Sequence, residues 1–197
     1  GINTTKLRSE VLRFLKNKEK AFLKESAIKL VYLLQSKKIS NIIFLNYSPE
    51  FEKFLFWCQQ LIAESLGKKG KGFLPVISNV PKDHHSLLQL YLDGPRDKLF
   101  YIFSLKKNKI KKQSIDFVKN AQKNALIKVL KKNKIPFREF EIKKPNEQIL
   151  GRLFSYFILE TILIGKLAKI NPFDQPAVEQ VKIISKKLLN KKSKYYF

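Results

Sequence analysis

Apolar residues recur every three or four positions at Leu7, Val11, Leu12 and Leu15, and again at Phe22, Ile28, Val31 and Leu34, which predicts helices over 3–17 and 21–35. The run Asn41-Ile-Ile-Phe-Leu-Asn46, bounded by polar residues, suits a buried strand, and Ser48-Pro49-Glu50 after it supplies an N-cap with proline in the first turn. The helix so begun runs to about residue 65 and carries Phe51, Phe54, Leu55, Cys58, Leu61 and Ile62 on one face. Glycine and lysine dominate 67–72 and proline follows at 75 and 81, so 66–82 reads as a loop that includes a short strand over 73–77. Asp83 is placed to cap a helix that Gly94-Pro95 stops.

Further along, 99–105 reads as a strand, and 114–133 as a helix carrying Ile115, Val118, Ala121, Leu126, Val129 and Leu130. A third strand is expected over 136–142, a long apolar helix over 147–169, and a last helix from Asp174 to about Asn190 after a tight Asn-Pro-Phe link, with the lysine-rich 191–194 frayed beyond it. Strands alternating with helices predict an α/β fold, a three-layer sandwich with a mainly parallel sheet flanked by helices on both faces. With 197 residues, 44% of them hydrophobic, the chain is long enough for one substantial core and short for two.

The formal charge of +24 suggests an anionic partner and keeps a basic nucleic-acid-binding protein among the readings. The positive charge is nearly all lysine, however. Arginine, whose planar fork reads phosphates and guanine edges, stands only at positions 8, 13, 96, 138 and 152, so a lysine-rich solvated face is the plainer reading. The single cysteine, Cys58, allows neither an internal disulfide nor a cysteine metal cage and fits a reducing, cytoplasmic setting. The first twenty residues lack the apolar run of a secretory signal. The most membrane-like stretch, 149–170, carries Arg152, Glu160 and Lys166, and a charge near the bilayer centre costs about 2.5 to 3.5 kcal/mol, so a buried helix is expected and no membrane partner.

Phosphate-binding Walker loops, dinucleotide glycine fingerprints and nucleophile elbows are absent from the sequence. What it offers instead is a set of scattered polar residues. Glu64 falls where a helix meets a glycine-rich loop, four residues after Gln60, and a carboxylate tuned by such surroundings serves as a general base; taken alone, a glutamate there is a surface residue. The only histidines, His84 and His85, are adjacent and point apart on a helix, so at most one faces a given site. A proton shuttle and an exposed, structural histidine are both open for them, while metal ligation lacks third and fourth ligands. Gln175, Glu179 and Lys182 share one face of the last helix, whose start could hold an anion; a solvated face is the alternative.

In order along the chain, these residues fall within three longer motifs. Gln60-Leu-Ile-Ala-Glu64-Ser-Leu-Gly67-Lys68, Asp83-His84-His85-Ser86-Leu-Leu-Gln89 and Ile170-Asn-Pro-Phe-Asp-Gln-Pro-Ala-Val-Glu-Gln-Val-Lys182 resemble three signatures of the phosphoglucose isomerase family. The resemblance is to the C-terminal half of that family, its second sugar-isomerase (SIS) domain, and extends over the whole of 1–197 as a single SIS-like domain with C-terminal helices. It implies interconversion of glucose 6-phosphate and fructose 6-phosphate through an enediol, with no cofactor. By position in the motifs, Glu64 is the implied base, His85 and Lys182 assist ring opening, and Gln60 and Gln175 contact the substrate near its phosphate. His84 falls at a variable position of its motif and has no assigned role.

Two departures qualify the resemblance. Ala177 stands where the family has glycine. The family's preceding SIS domain, with its Ser/Thr-rich phosphate loop, and an arginine that steadies the enediolate lie outside the sequence, so weak or no activity is expected of these 197 residues alone. A homodimer is implied for the full protein, with the ring-opening histidine reaching the site from the neighbouring subunit; His85 is then expected to point away from Glu64 within one chain. A noncatalytic sugar-phosphate-binding module on the same fold is the alternative.

Overall fold

The computed structural model describes residues 1–106, 112 and 114–192. Four strands, β1 (Asn41–Asn46), β2 (Leu74–Asn79), β3 (Lys98–Leu105) and β4 (Phe137–Ile142), form one sheet in the order β2-β1-β3-β4, with every pair parallel. The helices are α1 (Thr4–Ser9), α2 (Asn17–Gln35), α3 (Glu52–Leu66), α4 (Lys82–Ser86), α5 (Leu88–Asp93), α6 (Ile115–Lys132), α7 (Glu147–Ala168) and α8 (Pro176–Lys192), with 3-10 turns at Glu10–Leu15 and Pro49–Phe51.

Alternation along the two central strands divides the core. Ile42 and Phe44 of β1 and Leu99, Tyr101 and Phe103 of β3 pack towards α2, α3 and α7, while Ile43, Leu45, Phe100 and Ile102 pack on the opposite face with Leu126 and Leu130 of α6. Both faces of the sheet are therefore covered, as a parallel sheet requires. The predicted three-layer α/β sandwich is the one found.

Within that frame several faces differ from expectation. The helix expected over 3–17 is α1 followed by a 3-10 turn, and there Glu10 and Phe14 are buried whereas Val11, Leu12 and Leu15 are exposed. The cause lies on α7: Glu10 accepts hydrogen bonds from Gln148 and Arg152, and Gly151 lets the Leu7 carbonyl come close. On α2 the buried stripe is Leu23, Ala27, Leu30, Val31 and Leu34, leaving Phe22 and Ile28 outside. On α6, Ile115 and Val118 are exposed while Lys123 is buried against Ser104, Glu139 and Glu141, so a lysine takes a core-facing position because β3 and β4 supply its partners.

The predicted caps are also used differently. Ser48 accepts the Leu105 backbone N–H rather than capping α3. Asp83 accepts the Asn79 backbone N–H, and the single helix expected after it is two short ones, α4 and α5. α8 runs two residues beyond the expected end, every residue from 176 to 190 is exposed, and positions 193 and 194 of the expected frayed tail lie outside the described residues.

Helix α7 is long and apolar enough to cross a bilayer, and half of its most apolar stretch is buried. Its Glu160 accepts from Arg138 (2.7 Å), from Tyr156 (2.7 Å) and from the Ser26 hydroxyl. Burial works against the Arg138 charge, but Tyr101, Glu160 and Tyr156 together hold its pKa above the ordinary arginine value. Four elements, α2, β3, β4 and α7, thus meet in one polar knot within the aromatic core.

Candidate functional site

The motif around Glu64 occupies the last turns of α3, which Phe54, Leu55, Cys58 and Ile62 bury against the sheet side of the core. Their spacing turns Gln60 and Glu64 outward together, and the Gln60 amide donates to Glu64 Oε1 at 3.2 Å. Gly67 closes the helix, its N–H donating to the Ala63 carbonyl at 3.0 Å, and the chain bends back between Lys68 and Lys71. Gly70 and Gly72 take positive φ in this bend (69° and 130°), where a Cβ would be strained.

The third motif arrives from the far end of the chain. Lys169 ends α7 in the left-handed conformation, Ile170 is buried, and Asn171 shapes the link by donating to Asp174 and accepting from the Phe173 N–H. This turn delivers Gln175 to α3, where its amide donates to Glu64 Oε2 at 2.7 Å. Glu64 therefore has one carboxylate oxygen on each of two glutamines, Gln60 and Gln175, whose motifs lie more than a hundred residues apart.

Lys68 holds the junction. Its ammonium donates to the Asn171 carbonyl (2.6 Å) and the Ser65 carbonyl (3.3 Å) and pairs with Asp174 at 3.1 Å. The hydrogen bond from Lys68 holds the Asp174 carboxyl below its ordinary range. Lys71 adds a second tie, to the Ala168 carbonyl at 3.0 Å. Between α3, the Lys68–Lys69 bend and the first turn of α8 lies an open cavity of about 450 Å³, with Glu64, Lys68 and Gln175 on its walls.

His85 and Lys182 are not part of this cavity wall. His85 is exposed on α4. Lys182 sits two turns beyond Gln175 on α8, exposed and paired with Glu179 at 2.7 Å. His84 turns inward instead: its Nε2 lies 3.0 Å from the Tyr47 hydroxyl. Burial lowers the His84 pKa, His85 lowers it further, and Asp83 opposes them.

Position in the motifs singled out Glu64, Gln60 and Gln175, whereas Lys68, Asn171 and Asp174 were given no part in a site. Their part in the site comes from a contact across 103 residues of chain that no local spacing announces. Among the described residues no group of three or more His, Cys, Asp or Glu is arranged to hold a metal ion.

No family model matches the chain. It is similar to the glucose-6-phosphate isomerase of Methanocaldococcus jannaschii, with 33% identity over 175 residues, which is 81% of this chain and 43% of that protein. A probable glucose-6-phosphate isomerase of Methanococcus maripaludis is 37% identical over 75% of this chain and 36% of its own length. The glucose-6-phosphate isomerase of Campylobacter jejuni is 31% identical over 85% of this chain and 46% of its own length. The chain thus spans less than half the length of these relatives. Among solved structures, a hypothetical protein from Thermus thermophilus superposes with a TM-score of 0.81 over 96% of this chain and 51% of that one, at 22% identity. A glucose-6-phosphate isomerase from Chlamydia trachomatis superposes with a TM-score of 0.64 over 78% of this chain and 35% of that one, at 18% identity. At these identities the likeness is one of fold.

Proposed function

We propose, for a chain that is a relative of the glucose-6-phosphate isomerases over about two-fifths of their length, that it forms part of the active site of such an isomerase and moves a proton between C1 and C2 of a hexose 6-phosphate. The observation that carries this reading is the meeting of Glu64 and Gln175 on the wall of one cavity, with Gln60 hydrogen-bonded to Glu64 from the preceding turn of α3. A carboxylate held by two amide donors has a fixed orientation, which a base that must remove a carbon-bound proton and return it one carbon away requires.

In this reading Glu64 takes the proton from C2 of glucose 6-phosphate and returns it to C1 of the enediol, giving fructose 6-phosphate. Gln60 and Gln175 bind the substrate near its phosphate, and the first turn of α8 on the same wall supplies the positive end of a helix, which favours an anion. His85 and Lys182 serve ring opening, one accepting the hydroxyl proton and the other supplying one to the ring oxygen. The exposure of His85, off the wall that carries Glu64, is compatible with its delivery to the cavity of a second copy in a homodimer. The single SIS-like domain of 1–197 works with a partner domain that supplies the phosphate loop and the arginine for the enediolate, and alone it turns over weakly or not at all.

The partner is a sugar phosphate in the cytoplasm, without a cofactor and without nucleic acid or membrane. Arg13, Arg138 and Arg152, which could otherwise read phosphates, are paired with Glu10 and Glu160. Two of the charges of α7 are engaged as well, Glu160 inside the core and Arg152 with Glu10. The test is an isomerase assay of the full-length gene product beside its Glu64→Gln variant. Loss of C2 proton exchange in the variant, with the fold retained, is expected; equal turnover in both removes Glu64 from the base role.

A further inference from the structure

We infer that Tyr47 and His84 form a positioning pair that sets the direction of His85. The inference rests on the reading of His85 as a ring-opening residue, and it gives a task to a histidine that the motif leaves unassigned.

The helix that carries both histidines, α4, has only five residues, too few to hold a shape by its own hydrogen bonds. Its orientation must come from side chains that fasten it to the sheet. Asp83 fastens one side by accepting the Asn79 N–H at 2.8 Å. His84 fastens the other. Its ring meets the Tyr47 ring edge-on, with centroids 5.7 Å apart at 84°, and its Nε2 lies 3.0 Å from the Tyr47 hydroxyl. Tyr47 follows directly on the central strand β1 and is itself only 4% exposed, so the anchor is part of the core rather than the surface.

The protonation states agree with a fixed contact. Burial pushes the Tyr47 hydroxyl above its ordinary value, so it keeps its proton and can donate. Burial also lowers the His84 pKa, which favours the neutral ring, and in the tautomer with the proton on Nδ1 its Nε2 accepts from the Tyr47 hydroxyl. Successive residues of a helix point roughly 100° apart. With His84 held inward on Tyr47, His85 is left facing outward. A loose His84 would let α4 roll and carry the His85 imidazole with it.

Anomer interconversion needs ring opening alone, whereas C2 proton exchange also needs the base. The experiment therefore uses the full-length protein in a Glu64→Gln background and follows the interconversion of glucose 6-phosphate anomers by exchange NMR, together with the affinity for the sugar phosphate. Tyr47→Phe in that background is expected to slow anomer interconversion about three- to tenfold, the loss of one oriented hydrogen bond, with affinity unchanged. His84→Ala should do the same, and the double variant should be no slower than either single one. His85→Asn is the control and should remove the catalysed interconversion. If His85→Asn leaves the rate unchanged, the ring-opening reading fails and the inference goes with it. If His85→Asn removes the rate but Tyr47→Phe leaves it unchanged, or lowers rate and affinity alike, the positioning role alone is overturned.

Discussion

Gln175 donates its side-chain amide to Glu64 across 2.7 Å and so joins the start of α8 to the end of α3. A neutral amide in this position orients the carboxylate without adding charge. Replacement by alanine removes a hydrogen bond to a charged group, worth about 1.5 to 3 kcal/mol, and in the full-length protein kcat/KM for fructose 6-phosphate should fall roughly ten- to a hundredfold. Steady-state kinetics with Gln175→Ala checks this, and an unchanged kcat/KM would take Gln175 out of the site.

Lys68 should matter more for the geometry than for the charge of the cavity. Its ammonium holds two backbone carbonyls and Asp174 at once, and its side chain is only 10% exposed. Lys68→Met keeps the stem and removes these ties, at a cost of about 2 to 3 kcal/mol. Thermal unfolding reads the stability loss, and the rate of Glu64-dependent C2 exchange should drop in the same variant, because Gln175 then loses its fixed approach. Raising the salt concentration in the unmodified protein should reproduce only a small part of either effect, since salt screens the half-exposed Asp174 partner but leaves the two carbonyl ties in place.

How far these contacts could be read from the sequence depended on their range. The strand pattern of 41–46 and 99–105 and the order of the elements follow from local apolar periodicity, and they stand in the structure with shifts of a residue or so. The orientation of surface helices does not follow. Helix α2 has apolar residues around much of its circumference, and which ones are buried was decided by α7, not by spacing. Lys123 reads as one more lysine of a basic chain, and only Glu139 and Glu141, arriving on β4, make a buried ammonium tolerable there. The site shows the same division. The motifs single out Glu64 and Gln175, but the staple by Lys68 is a pairing of side chain with distant backbone, for which a sequence carries no periodic mark.

The knot of Arg138 and Glu160 should behave as a buried ion pair. Removing one partner leaves the other charge in an aromatic core, at a cost of roughly 3 kcal/mol, the low end for buried pairs because Arg138 keeps some exposure. For a chain of this size Glu160→Leu should then lower Tm by about 6 to 12 °C. The double variant Arg138→Leu with Glu160→Leu should regain most of that loss, because no unpaired charge remains. Calorimetry on Glu160→Leu, Arg138→Leu and the double variant separates the pair from the packing around it.

Glu10 predicts an acid-sensitive N-terminal segment. Burial alone would raise its pKa, but hydrogen bonds from Gln148 and Arg152, helped by the charges of Arg152 and Arg13, lower it below the ordinary value of 4.5. A carboxyl whose folded pKa lies below its unfolded one contributes stability that is fully present above the unfolded value and is lost as pH falls through the folded one. Protection of the α1 and 3-10 amides against hydrogen exchange should therefore hold at pH 5 to 7 and fall on acidification below about pH 4. In Glu10→Gln the protection should be lower at neutral pH and nearly flat through the same acid range.

Gly151 sets two general tendencies against each other. It stands inside α7, where glycine costs a helix about 1 kcal/mol relative to alanine, so on propensity alone Gly151→Ala should stabilise. A Cβ at this position would lie 2.0 Å from the Leu7 carbonyl oxygen and 2.8 Å from its carbon, and both are backbone atoms that no rotamer change can move aside. The clash should win. Gly151→Ala is expected to push α1 off α7, pull Glu10 away from Arg152 and Gln148, and lower stability by about 1 to 3 kcal/mol. Chemical denaturation of the variant measures the sign directly: a gain in stability would mean that α1 does not approach α7 as closely in solution, and with it the account of why Glu10, rather than Val11 or Leu12, faces inward would have to be withdrawn.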